Sequence, residues 1–126
     1  MKPKGYKRTR CEKRAMSKCA DGVARTYNAL ESRYADKLNA DFNVKEFRCQ
    51  VLIEGLEIGE YCSDFVAIKV DGDLMVRECV YRKYLTKPMT AKLLDSSRNF
   101  WKRRGIEDWG IVVDKREDDD GEKSTD

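Results

Sequence analysis

Histidine is absent from all 126 residues of this chain. A zinc finger of the Cys/His kind and any nucleophile that relies on an imidazole base are thereby excluded. The five cysteines (Cys11, Cys19, Cys49, Cys62 and Cys79) are irregularly spaced and never form a CxxC pair. Free thiols in a reducing cytoplasm are the simplest account of them. No run of 18 apolar residues occurs, so no membrane-spanning segment is expected. The basic N-terminus has no apolar run after it, so a secretory signal is not expected either. No internal repeat is visible.

What the chain has in abundance is charge, 39% of residues, and it is unevenly spread around a net of only +3. Residues 1–20 hold eight Lys/Arg against the single acid Glu12, and residues 115–126 hold three Lys/Arg against six acids. These ends read as a basic arm and an acidic, disordered tail, with one folded domain at 21–114 between them. The arm is either a solvated segment or one that lies along phosphates.

Within the folded part, Val23, Tyr27, Leu30, Tyr34 and Leu38 fall at steps of three and four, which predicts a helix from Val23 to about Leu38. A strand with some irregularity is expected over Val44–Ile53, and Gly55 and Gly59 punctuate the turn after it. Pro88 suits the first turn of a second helix reaching about Arg104. Leu93, Leu94, Ser97, Phe100 and Trp101 are predicted on its buried face, with Gly105 as its stop. Trp109–Val113 is a short apolar run that reads as a strand covered on both faces. The order α-β-β-β-α-β indicates an α/β domain, a central mixed sheet flanked by helices.

The segment SDFVAIKVDGDLMVRECV, residues 63–80, contains two β-branched-rich runs around an Asp-Gly-Asp turn, each with a carboxylate at its outer end, Asp64 and Glu78. Cross-strand partners share a face, so loop length decides whether the two acids meet. A two-residue loop sends them to opposite faces. A three-residue loop, Asp71-Gly72-Asp73, sets Val66 against Glu78 and Asp64 against Val80, and buries Val66, Ile68, Val70, Leu74 and Val76 together. Register follows the hydrophobic pattern, which favours the three-residue loop. Two acids on an apolar face need compensation. Either Mg²⁺ or Mn²⁺ supplies it, or the acids are solvated strand-end charges paired with Arg77, Arg82 or Lys69.

These residues resemble the PD-(D/E)xK nuclease superfamily, and within it the TnsA-type endonuclease subunits of heteromeric transposases. Ser63-Asp64-Phe65-Val66 is similar to the family's "DF(L/V)" strand, and Arg77-Glu78-Cys79-Val80 to its "(E/Q)xK" strand. Leu93–Trp101 followed by Gly105–Asp114 is similar to its "KL…R.YW….G..W.I.TD" helix and strand. Val44–Gln50 resembles the strand that follows its first helix. The resemblance covers roughly residues 25–114. It implies a restriction-endonuclease-like core and a cytoplasmic DNA endonuclease of a mobile element or phage, with Glu31, Asp64 and Glu78 holding Mg²⁺ or Mn²⁺.

The family's lysine falls on Val80, which has no charge to offer. Three readings follow. A nearby cation substitutes, Arg82 foremost; the metal alone supports cleavage; or the domain is inactive and binds DNA or a partner such as a transposase or defence effector. Lys83, Lys87, Lys92 and Arg98, beside the site, form a candidate DNA-phosphate track or an ordinary solvated face. A homodimer is compatible with either function. The resemblance also leads one to look for a further domain after this core, as in the transposon subunits, and residues 115–126 are not expected to form one.

Overall fold

The hairpin that dominates the sequence also forms the middle of the sheet. The computed structural model describes residues 2–3 (as backbone), 11–56 and 59–115, so the acidic tail from residue 116 and residues 1 and 4–10 of the basic arm lie outside the described residues. The strands are β1 (Lys2–Pro3), β2 (Glu12–Ala15), β3 (Val23–Thr26), β4 (Val44–Ile53), β5 (Tyr61–Lys69), β6 (Leu74–Cys79) and β7 (Asp108–Val112). The helices are α1 (Ala29–Ala40) and α2 (Pro88–Arg103), with a 3₁₀ turn at Arg82–Tyr84. The main sheet runs β4-β5-β6-β7, and β1 pairs with β5 at Tyr61 and Cys62. The β4-β5-β6 part is antiparallel, whereas β6 and β7 are parallel. A parallel pair needs a crossover, which α2 supplies.

Strand alternation gives the sheet two buried faces. Leu30, Ala35 and Leu38 of α1 pack with Phe47, Phe65, Ala67, Met75 and Cys79. Leu93, Phe100 and Trp101 of α2 pack with Ile53, Tyr61, Val76 and Val66 on the other side. The α/β class and the α-β-β-β-α-β order of the core are therefore as expected. No described helix is long and apolar enough to cross a membrane.

Four local expectations are corrected. Val23–Thr26 is a strand rather than the first turn of a helix, and α1 starts at Ala29 because Asn28 caps it: the Asn28 side chain accepts from the Glu31 amide at 2.9 Å. The boundary drawn at residue 20 falls inside a β2–β3 hairpin. That hairpin is held by Arg14, which donates to the Ser32 hydroxyl at 2.8 Å and pairs with Asp36 at 3.0 Å, and by burial of Met16 and Cys19. Strand β7 has only β6 as a described neighbour and leaves Ile111 41% exposed, so it is an edge rather than a strand covered on both faces.

The fourth correction concerns the central hairpin. Its loop does hold three residues, but they are Val70, Asp71 and Gly72. The Gly72 amide donates to the Lys69 carbonyl and the Lys69 amide to the Asp73 carbonyl, both at 2.8 Å. Gly72 has φ +94°, the left-handed third position that closes such a loop. The glycine sets the register, so Ile68 pairs with Leu74 and Val66 with Val76. The parity is the expected one, but each partner shifts by two residues. Val70 and Leu74 consequently protrude, 61% and 37% exposed, instead of joining the buried stripe.

Helix α2 follows its expectation closely, burying Leu93, Leu94, Ser97, Phe100 and Trp101. At its end Gly105 (φ +85°) donates to the Lys102 carbonyl, and the Ile106 amide to the Trp101 carbonyl. This Schellman closure folds Ile106 back onto the same apolar cluster as Trp101. A side chain at position 72 must adopt the left-handed region that only glycine enters at little cost. Gly72→Ala is expected to lower stability by about 1–2 kcal/mol, read as a shift of the urea midpoint at unchanged slope. An unmoved midpoint would count against the assigned loop.

Candidate functional site

The backbone bonding between β5 and β6 ends at the Phe65–Arg77 pair. Beyond it β6 stays with β7, with Glu78 opposite Ile111 and Cys79 opposite Val112, while β5 stays with β4, with Ser63 opposite Val51. The two strands fork at the next position, and that position holds Asp64 on one side and Glu78 on the other. Their carboxylates bond across the fork. The Asp64 amide donates to Glu78 Oε1 at 3.0 Å, and the Cys79 amide donates to Asp64 Oδ2 at 2.8 Å. Register thus sets the acids directly side by side, rather than diagonally as the longer-offset pairing implied.

The same level of the sheet carries a reversal. In β4, Phe47 and Cys49 pack toward α1, yet Val51 and Ile53 pack toward α2. In β5, Phe65 and Ala67 face α1, whereas Tyr61 faces α2. Both strands change sides between matched pairs, Cys49–Phe65 and Val51–Ser63. The residue between them in β4 is Gln50, whose φ of +53° is a left-handed value uncommon outside glycine. Its side-chain amide donates to Glu31 Oε1 at 3.2 Å, the oxygen that also accepts from the Tyr27 amide at 2.9 Å. Backbone strain of this kind clusters at functional sites.

Glu78 is fully buried and Asp64 is 1% exposed. Glu78 Oε2 accepts a 2.6 Å hydrogen bond from the Ser97 hydroxyl of α2. Ser97 in turn accepts from the Trp109 indole at 3.0 Å, and Ser63, next to Asp64, accepts from the Trp101 indole at 3.0 Å. Burial, reinforced by the Asp64 charge, pushes the Glu78 carboxyl up to about 7. Burial first, then the charges of Asp64, Glu31 and Glu78, push the Cys79 thiol upward as well. All three acids therefore lie within electrostatic reach of Cys79.

The cations offered as partners for the pair in the solvated reading are bound elsewhere. Lys69 and Arg77 both pair with Asp108, at 2.6 and 2.7 Å, and hold its carboxyl below the usual carboxylate range. The amide and the guanidinium Nε of Arg82 both donate to Asp114, at 2.6 Å. Val80 is buried, its amide bonded to the Val112 carbonyl at 2.9 Å. Lys83, Lys87, Lys92 and Arg98 are exposed, with the Lys83 and Lys87 ammonium groups 5.2 and 5.9 Å from the Tyr84 ring centre.

The structure thus joins Asp64 to Glu78 and ties Glu31 to Gln50, the residue that lies opposite Asp64 in the sheet. Among the described residues, no group of three or more His, Cys, Asp and Glu side chains is arranged to hold a metal ion. Asp64 and Glu78 are the pair with the chemistry to do so. A cavity of about 260 Å³ borders the site on the Gln50 side, walled also by Cys19, Asp21, Arg25, Arg48 and Cys49; neither Asp64 nor Glu78 lines it. The roles of Gln50, Ser63 and Ser97 were not anticipated. A serine inside the apolar stripe of α2 was the available signal, since a buried hydroxyl needs a partner.

A raised carboxyl binds its proton more tightly folded than unfolded. The stability it contributes is therefore complete below the ordinary carboxylate range and is lost as pH rises through about 7. In metal-free buffer the wild type is expected to lose about 2–3 kcal/mol between about pH 5 and pH 8, a fall that Glu78→Gln abolishes. Parallel chemical-denaturation curves for the two proteins across that range would refute it. No protein-family model matches this chain, and no curated protein matches it.

Proposed function

We propose that this protein is a metal-dependent DNA endonuclease with a restriction-endonuclease-like core, acting on phosphodiester bonds in the manner of a TnsA-type transposase subunit of a mobile element or phage. The observation that carries the reading is the side-by-side burial of Asp64 and Glu78 at the fork of two strands. Among the described residues, Glu78 has a hydroxyl and a backbone amide as partners and no cation. Like charges held this close favour binding either a proton or a metal ion.

The donor set fits a hard divalent ion. It consists of carboxylate oxygens, each with more than one lone-pair direction, and Mg²⁺ or Mn²⁺ needs only one or two carboxylates beside waters and substrate oxygens. Asp64 and Glu78 would hold the ion, with Glu31 as the third acid that the family resemblance implies. The ion would supply Lewis acidity at the phosphodiester. The chain's own contribution is orientation: the Asp64 and Cys79 amides and the Ser97 hydroxyl fix three carboxylate oxygens before any ligand arrives. Lys83, Lys87, Lys92 and Arg98, exposed on the turn and helix that follow β6, supply phosphate contacts without reading sequence.

The second reading is a non-cutting module of the same design that binds DNA or a partner protein. Val80 favours it, because the position that carries the family's lysine is a buried aliphatic residue. Arg82, the nearest substitute, spends its Nε donor on Asp114.

Supercoiled plasmid incubated with Mg²⁺ or Mn²⁺ separates the two readings. Wild type is expected to nick it, and Asp64→Ala to slow nicking by roughly a hundredfold or more. Intact plasmid with both proteins, alongside a retained gel shift on linear DNA, would select the non-cutting module.

A further inference from the structure

Two indoles donate into the surroundings of the acid pair, but only one is wired to an acid. Trp101 Nε1 bonds to Ser63, which has no hydrogen bond to Asp64 or Glu78. Trp109 Nε1 bonds to Ser97, and Ser97 bonds to Glu78 at 2.6 Å. We infer that Trp109 of β7 is a positioning residue that fixes the orientation of the Glu78 carboxylate through Ser97. The metal-binding consequence of this inference rests on the function proposed above, whereas the positioning itself does not.

The directionality follows from the groups involved. An indole N–H can donate but never accept. With its oxygen facing that donor, the Ser97 hydroxyl cannot rotate its proton toward Trp109, and the proton is left for Glu78 Oε2. Ser97 is fully buried, so no solvent competes for it. Oε2 anchored in this way directs Oε1 at the Asp64 amide, 3.0 Å away. Glu78 is therefore held at both oxygens, one by β5 and one by α2, and Trp109 selects the second hold from a third element. Removing the indole donor allows the hydroxyl to turn, and the carboxylate loses its anchor on the helix side. Partners that hydrogen-bond the ligating groups tune metal affinity, and their loss typically costs about ten- to a hundredfold.

The test is made on the full chain with Trp109→Phe, Ser97→Ala, the double variant, and Trp101→Phe as a control that also deletes an indole donor from the α2 core. The first readout needs no metal: the exchange rate and proton shift of the Asp64 backbone amide, whose acceptor is Glu78. In Trp109→Phe and Ser97→Ala this amide is expected to exchange about tenfold faster while the ladder amides of Val66 and Val76 keep their rates. The double variant should match Ser97→Ala, because both changes break one relay, and Trp101→Phe should leave the Asp64 amide unmoved.

The second readout is the Kd for Mn²⁺ by calorimetry, expected to weaken by about tenfold in the same variants. An Asp64 amide unchanged in both single variants overturns the proposal. So does a rate increase shared by all the sheet amides, which would indicate general loosening, or strict additivity in the double variant. If the amide responds while wild type binds no Mn²⁺, the positioning role stands and the metal-dependent reading falls.

Discussion

Everything at the centre of this molecule depends on an exchange of hydrogen bonds at one level of the sheet. A backbone ladder between β5 and β6 stops at Phe65 and Arg77, and beyond it the amides of Asp64 and Cys79 are taken by side-chain carboxylates. Buried amides must be satisfied. The strands can separate here only because each carries an acid able to satisfy the other. The fork, the burial of the acids and the raised proton affinity of Glu78 are three aspects of this one substitution.

The surroundings divide the electrostatics in a consistent way. The cations that lie close in sequence are drawn outward: Lys69 and Arg77 converge on Asp108, and Arg82 is tied to Asp114. Among the described residues, Glu78 is met by neutral donors, the Ser97 hydroxyl and the Asp64 amide. A lysine or arginine at the fork would have neutralised the pair and left it structural. Their diversion to Asp108 and Asp114 keeps these three side chains from neutralising the pair.

Much of this was legible in the residues. Helix α2, its buried stripe and its glycine stop follow from periodicity and capping chemistry. The parity that brings Asp64 and Glu78 to one face follows from the hydrophobic pattern of the hairpin. The register was missed by two residues because a buried aliphatic stripe was weighed above the demand that Gly72 occupy the left-handed position, and Val70 and Leu74 turned out to be exposed. The β2–β3 hairpin was hidden by its charge, since Arg14 reads as solvated until Ser32 and Asp36 are seen beside it. Nothing local in Phe47, Cys49, Val51 and Ile53 announces that the alternation breaks at Gln50. That break is a tertiary compromise between two helices on opposite faces, and no period-two pattern contains it.

Both tryptophans of the chain, Trp101 and Trp109, donate their indole protons to serines that flank the acid pair. The whole tryptophan emission of the protein therefore originates at one place, from two fluorophores whose environment is set by the same buried charges. Intrinsic fluorescence, usually an average over a fold, is here a local optical signal that needs no label. Protonation of Glu78, arrival of a divalent ion or displacement of the flanking serines each alters the field across an indole, and the spectrum of the unmodified protein records it.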